Sequence, residues 1–152
     1  MDAFRGLLSA AMLLIGGHAY AGWEFGAGIG DEIIGETPGT AQLSYVFAGR
    51  YEQVVSLGGI SERQAGPRRV SPNTLFASYL IRIPIKERFY FGVGAVAANA
   101  SSEVISSNLA FTETLGWRIN QRWLLEIRHI SNLSIKGRNI GENLYTLNYR
   151  FD

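Results

Sequence analysis

Apolar residues alternate with small or polar ones along most of the chain, and this period of two constrains the fold more than any other feature. In residues 75–83 every odd-numbered position is apolar, whereas Ser78 and Arg82 stand between them. Successive side chains of a β-strand point to opposite faces, so the pattern predicts strands that each have one apolar face.

Eight segments show this alternation, which predicts an all-β chain. Six of them alternate clearly, and residues 52–60 and 108–119 alternate less cleanly. In the segment at residues 108–119, Glu113 falls on the otherwise apolar face. Nothing else in the sequence explains a carboxylate at that position.

The connections between the predicted strands alternate strictly between short and long. The short ones are centred on residues 49–51, 84–88 and 120–122. The longer, polar ones cover residues 31–39, 61–73, 99–107 and 133–141. Tight periplasmic turns and longer external loops are typical of outer-membrane barrels, so we expect an eight-stranded antiparallel transmembrane β-barrel.

The polar face of the strands separates a membrane barrel from a soluble one. Charged residues on that face are Glu24, Arg82, Glu126, Arg128 and Arg150. They would be costly inside a soluble barrel unless they are paired, whereas in a small membrane barrel they can pair or meet water. Aromatic residues cluster at the strand ends beside the short turns, as an interfacial girdle would; they are Trp23, Phe89, Trp117, Trp123, Tyr149 and Phe151. A soluble secreted barrel that binds a lipophilic ligand is the weaker alternative.

Composition excludes several functional classes. The chain has 152 residues, a net charge of +1 and no cysteine. The charge gives no footprint for nucleic acid, and the missing cysteines exclude disulfide frameworks, thiolate zinc sites and cysteine nucleophiles. The glycine runs open no predicted helix, so they do not form a phosphate-binding loop. No group of His, Asp and Glu has the spacing of metal ligands, so we expect neither metal nor cofactor.

Residues 1–21 have the pattern of a cleaved secretory signal peptide. One arginine precedes an apolar stretch at residues 6–17, and an A-x-A site occupies residues 19–21. The stretch is shorter than the roughly 20 residues that a membrane-spanning helix needs, although a retained anchor helix is the alternative. We therefore expect a single barrel domain at residues 22–152, in a bacterial envelope protein.

A histidine and a serine share one face near the end of the seventh predicted strand. His129 and Ser131 are two residues apart, so both lie on the face of Trp123 and Leu125. A serine needs an adjacent general base to become a nucleophile, and histidine supplies one. The spacing fits a catalytic pair about as well as it fits an interfacial histidine that only forms hydrogen bonds.

The C-terminal residues resemble the PagL-type lipid A 3-O-deacylases. The shared features are H-x-S-N at residues 129–132, Lys136, N-x-G at residues 139–141 and the last strand that follows. The resemblance implies an eight-stranded outer-membrane barrel that hydrolyses an acyl ester of lipopolysaccharide. It assigns Ser131 as the nucleophile and His129 as its general base.

The same resemblance suggests the oxyanion donors. They are Asn132 and the backbone N–H two residues later, which belongs to Ser134. The family usually has glycine at that place, so Ser134 is a departure. A backbone donor survives a change of side chain, but the loop conformation that glycine permits is then in question.

The residue that orients the histidine has two candidates. The family pattern has a glutamate two residues after the glycine of N-x-G, where this chain has Asn143, and Glu142 stands one position earlier. Asn143 shares the outward face with Tyr145 and therefore with His129, whereas Glu142 points inward unless a bulge shifts the register. We favour Asn143; Glu142 is the second candidate and could equally be an ordinary solvated loop carboxylate.

The predicted partners are the membrane and the lipid A of lipopolysaccharide in the outer leaflet, with no nucleic acid. Basic residues in the predicted external loops could contact lipid A phosphates or serve solubility alone; they are Arg63, Arg68, Arg69, Lys136 and Arg138. The sequence is compatible with a homodimer and does not decide the oligomeric state. The alternative function is a non-catalytic eight-stranded outer-membrane barrel with a structural or adhesion role.

Overall fold

The chain folds into a closed antiparallel barrel. A computed structural model describes residues 22–33, 35–47, 49–66, 69–102, 104–132 and 140–151; the predicted signal peptide lies outside them. The strands are β1 Gly22–Gly30, β2 Gly39–Phe47, β3 Glu52–Ile60, β4 Arg63–Gly66, β5 Arg69–Ser71, β6 Thr74–Pro84, β7 Phe89–Ala98, β8 Leu109–Arg118, β9 Trp123–Ser131 and β10 Glu142–Phe151. Eight of them close the barrel in the order β1-β10-β9-β8-β7-β6-β3-β2. No helix in the described part is long and apolar enough to cross a membrane.

Strands β4 and β5 are the exception, because they form a separate two-stranded sheet. They lie in residues 61–73, where the sequence predicts a longer polar connection, and they add a hairpin that the alternation does not indicate. The short connections gather at one end of the barrel, which we call the turn end. The long connections gather at the other, which we call the loop end. The hairpin belongs to the loop end.

The barrel has an inverted distribution of polarity. Large apolar side chains cover its outside, and Leu57, Leu75 and Leu109 are 66%, 64% and 71% exposed. Charged and polar side chains fill its inside, including Arg82, which is 1% exposed. Soluble monomers rarely expose apolar patches larger than a few hundred Å². This confirms the predicted membrane barrel, with the apolar face toward lipid.

Aromatic residues encircle the outside near the turn end. Trp123 contacts Tyr149 with ring centroids 4.9 Å apart, and Trp23 contacts Tyr45 at 5.0 Å. Phe89 stacks on Trp117 at 6.3 Å, close to the next turn. These pairs come from the strand ends that the sequence identified, and Tyr45 extends them onto β2. They match the aromatic girdle of a membrane interface.

An ion-pair network fills the interior toward the turn end, and we call it the interior network. Arg82 is at its centre, with Nη1 2.9 Å from Glu24 and Nη2 2.9 Å from Glu126. Arg128 donates to the other oxygen of Glu126 at 2.9 Å. The outer members are Glu52, Arg118 and Arg150. The charges expected on the inner face are therefore paired across strands that are distant in sequence.

Apolar side chains close the interior at the loop end. Val104 and Ile105 fold in from the loop between β7 and β8 and are fully buried or nearly so. They join a cluster that includes Phe76, Ile130 and Leu144. This loop thus packs down onto the barrel mouth beside the ends of β9 and β10.

Candidate active site

Four polar side chains form a row across adjacent strands at the loop end. In the barrel register His129 on β9 is opposite Asn143 on β10 and opposite Glu113 on β8. Asp31 follows the end of β1 and contacts Asn143 on its other side. All four lie on the outward-facing side, where most neighbours are apolar. We call Asp31, Asn143, His129 and Glu113 the polar row.

Hydrogen bonds join three members of the row. His129 Nδ1 lies 2.8 Å from Asn143 Oδ1, and because an amide oxygen only accepts, the ring nitrogen is the donor. Asn143 Nδ2 in turn donates to Asp31 Oδ2 at 2.7 Å. The same carboxylate oxygen accepts the backbone N–H of Asn143 at 3.1 Å. Tyr145 donates its hydroxyl to the other oxygen, Oδ1, at 3.2 Å.

An ion pair inside the barrel holds the backbone of Asp31. Glu142 Oε1 accepts the N–H of Asp31 at 3.1 Å, and Arg63 donates to the Asp31 carbonyl. Arg63 and Glu142 also form a salt bridge with each other, and each is about 2% exposed. This corrects two readings of the sequence. Arg63 is not an external phosphate contact, and Glu142 is not a solvated loop carboxylate.

Glu142 and Asn143 therefore take opposite sides of β10. Glu142 points into the barrel, 2% exposed, while Asn143 faces outward beside His129. The described register contains no bulge between β9 and β10 at this point. The structure thus brings Asn143, and not Glu142, next to the imidazole.

Gly141 packs against the imidazole ring. It has a φ of +81°, in the region that favours glycine, and a Cβ added there would lie 2.6 Å from His129 Cε1. Its N–H donates to the carbonyl of Val104 at 2.9 Å. The last glycine of the N-x-G motif therefore lets the chain pass directly over the ring.

Ser131 and Asn132 lie at the end of β9 on opposite sides. Ser131 is on the side of His129 and is paired in register with Phe111 of β8. Asn132 is buried at 3% exposure, and its Nδ2 donates to Ser106 Oγ at 2.7 Å. This bond ties the amide of Asn132 to the loop between β7 and β8.

The other predicted site residues lie outside the described part of the chain. They are Ser134, Lys136, Arg138 and Arg68. Arg69 begins β5, but only its backbone is described. The predicted roles of these residues stay predictions.

An apolar depression lies on the outside of the barrel below the polar row. Its volume is about 560 Å³. Ile29, Tyr145 and Ile127 line it, each two residues from a member of the row. Leu125 and Leu147 continue it toward the turn end. A hydrocarbon chain fits such a lining.

Sequence reasoning missed Asp31, although a signal was present. Ile29 is paired with Tyr145 in antiparallel strands, so Asp31 falls opposite Asn143 two residues nearer the loop end. The register of β8 against β9 likewise makes the outward-facing Glu113 the neighbour of His129. The position of a polar row can be read only when the strands are aligned.

Chemically, the arrangement supplies an oriented base beside a hydroxyl. The bond to Asn143 places the hydrogen on Nδ1 in the neutral ring, which leaves the lone pair on Nε2. Ser131 occupies the adjacent position on the same side of the strand. Serine hydrolases use a serine, a histidine and a group that orients the imidazole, and the structure brings these three residue types to one side of the barrel at the loop end.

Comparison with known proteins gives one family and one fold neighbour. A family model described as lipid A 3-O-deacylase (PagL) matches residues 38–152. Among solved structures, the chain is similar to the outer membrane protein Ail of Yersinia pestis in a phospholipid bilayer nanodisc. The TM-score is 0.54 at 16% identity, over 87% of this chain and all of that one. A search of curated protein sequences finds no match.

Proposed function

The chain belongs to the lipid A 3-O-deacylase (PagL) family, and from that premise we propose that it hydrolyses the 3-O-linked acyl ester of lipid A by a Ser131–His129 mechanism. The family and the barrel fold locate the protein in the outer membrane. The observation that carries the mechanism is the hydrogen bond between His129 and Asn143, on the side of the barrel that also holds Ser131.

The reaction would proceed as an acyl transfer through the serine. Ser131 Oγ attacks the ester carbonyl carbon while His129 Nε2 takes the hydroxyl proton. The tetrahedral intermediate collapses, and the sugar hydroxyl leaves with the proton that the imidazolium returns. Water, deprotonated by the same nitrogen, then cleaves the acyl-enzyme and releases the fatty acid.

Two donors would stabilise the oxyanion in this proposal. The family pattern implies the amide of Asn132, which is buried and donates to Ser106, so the amide must turn toward Ser131 to reach the oxyanion. The backbone N–H of Ser134 is the second donor, as the family pattern implies. Removing one such donor typically lowers kcat about 10²- to 10³-fold, so Asn132→Ala is expected to be severely impaired.

The position of the site suits a substrate that stays in the membrane. Short turns are periplasmic in outer-membrane barrels, so the loop end and the polar row would face the outer leaflet. The apolar depression under the row would receive an acyl chain. Arg68, Arg69, Lys136 and Arg138 would meet the phosphates of lipid A.

The test is the lipid A of a host that expresses the protein. Wild type should shorten lipid A by one 3-O-linked acyl chain, which mass spectrometry detects as a discrete loss of mass. Ser131→Ala should remove the nucleophile and leave the lipid intact. Ser101→Ala, at an exposed serine in the loop between β7 and β8, is the matched control and should act like wild type.

Two results would contradict the proposal. If Ser131→Ala shortens lipid A as well as wild type does, the serine is not the nucleophile. If folded wild type leaves lipid A unchanged in every host, the result favours the alternative function, a non-catalytic barrel with a structural or adhesion role. Heat-modifiable gel migration would establish in each case that the barrel is folded.

A further inference from the structure

We infer that Asp31 is a positioning residue that sets the protonated nitrogen of His129 through the amide of Asn143. The inference rests on the proposed function, because it gives that reaction its oriented base. It adds a carboxylate that the H-x-S-N and N-x-G motifs do not contain. The carboxylate comes from the opposite end of the sequence, just after β1.

The orientation of the Asn143 amide is the first step. A carboxylate has only acceptor atoms, so the NH₂ group of Asn143 must face Asp31. The amide oxygen must then face His129, as the contact of 2.8 Å shows. Without an acceptor-only neighbour, the amide could turn over and present NH₂ to the ring. That orientation would place the hydrogen on Nε2 and block the base.

Hydrogen bonds fix both the side chain and the backbone of Asp31. Its carboxylate accepts hydrogen bonds from Asn143 and from the hydroxyl of Tyr145. Its backbone N–H and carbonyl are tied to Glu142 and Arg63 inside the barrel. A group fixed through both backbone and side chain can impose an orientation on its neighbour.

The chain also offers a competing carboxylate. Glu113 is the register neighbour of His129 on the β8 side, and it is exposed. The groups that face His129 are therefore Asn143 backed by Asp31 on one side, Glu113 on the other, Ser131 on its own strand and Gly141 above. The hydrogen bonds run from His129 through Asn143 to Asp31, so we assign the orienting role to Asp31.

The test is the tautomer of His129 by ¹⁵N NMR of histidine-labelled protein in detergent or bilayer discs. The chain has two histidines, His18 and His129, and the signals that His129→Asn removes identify the second. When the ring is neutral, wild type is expected to show hydrogen on Nδ1 alone. Asp31→Asn keeps the backbone ties and the shape, but it gives Asn143 a partner that both donates and accepts, so the two tautomers should mix.

Two further variants sharpen the result. Asn143→Ala removes the amide and should mix the tautomers as well, which keeps the test decisive if Asp31→Asn folds poorly. Glu113→Gln is the matched control on the other side and should leave the Nδ1 tautomer unchanged. In the lipid A assay Asp31→Asn should lower kcat about ten- to a hundredfold with little change in KM.

A single Nδ1 tautomer in folded Asp31→Asn would overturn the inference. So would mixing of the tautomers in Glu113→Gln with none in Asp31→Asn. The NMR measurement of the tautomer does not need turnover, so the inference can fail while deacylation stands. Conversely, deacylation can fail in the Ser131→Ala comparison while the tautomer result stands.

Discussion

The interior network and the polar row treat charge in different ways. Inside the barrel, arginines contact glutamates directly, as Arg82 does with Glu24 and Glu126 at 2.9 Å. On the outside, the carboxylate of Asp31 reaches His129 only through a neutral amide. The interior network pairs full charges directly, whereas the hydrogen bonds of the polar row fix the orientation of the imidazole through Asn143.

The difference follows from the surroundings of each group. Interior charges are shielded from lipid by the barrel wall, so direct ion pairs can satisfy them. The polar row lies on the lipid-facing side, where an unpaired charge is expensive. The Asp31 carboxylate there accepts hydrogen bonds from Asn143 and Tyr145, while Arg63 and Glu142 hold its backbone from inside the barrel. We therefore expect interior changes to affect stability and changes in the row to affect activity.

The largest effect should come from the centre of the interior network. Arg82→Ala would leave Glu24 and Glu126 buried beside too few cations, and breaking a buried pair costs about 3–5 kcal/mol. Urea unfolding in lipid vesicles, followed by tryptophan fluorescence, should show a matching fall in the free energy of unfolding. Arg88→Ala, in an exposed turn, is the control. Equal stability of the two variants would mean that the network does not hold the fold.

A smaller effect on stability, with a clear effect on activity, is expected from Gly141→Ala, because its φ of +81° also strains alanine. The new Cβ would meet His129 Cε1 at 2.6 Å, so the ring must move, and kcat should fall roughly tenfold or more. Gly35→Ala is the matched control, because Gly35 has a similar φ of +77° but nothing within 4 Å of its added Cβ. Equal activity in both variants would show that the contact with the ring is unimportant.

The smallest effect should come from giving His129 a direct carboxylate. Asn143→Glu alone would set two carboxylates side by side, so little gain in turnover is expected. In combination with Asp31→Asn the repulsion is removed, and kcat should exceed that of Asp31→Asn by several-fold, because the carboxylate stabilises the imidazolium. Initial rates of acyl release would measure this. A double variant that is no faster than Asp31→Asn would argue against orientation as the limiting feature.

The alternation of the sequence was sufficient to predict the barrel but not its pairings. Period two assigned the eight strands, and the parity of β10 separated Asn143 from Glu142. Parity could not show which arginine meets which glutamate, because that depends on strand register across the barrel. For the same reason Arg63 was read as an external cation, although the β4–β5 hairpin turns it into the barrel mouth to meet Glu142.

Asp31 and Glu113 illustrate the same limit at the site. Each was visible in the sequence as a polar residue out of place or just beyond a strand. Their relation to His129 appears only when three strand registers are combined. Contacts between residues about a hundred positions apart are not encoded in local periodicity.

The central claim is that the outward-facing site performs ester hydrolysis, and purified protein tests it most directly. Folded wild type and Ser131→Ala would each be incubated with lipid A in detergent, and released fatty acid would be quantified. The account predicts one fatty acid per lipid A from wild type, and release from Ser131→Ala at least about a thousandfold slower. Equal release from the two proteins, or none from folded wild type, would contradict it.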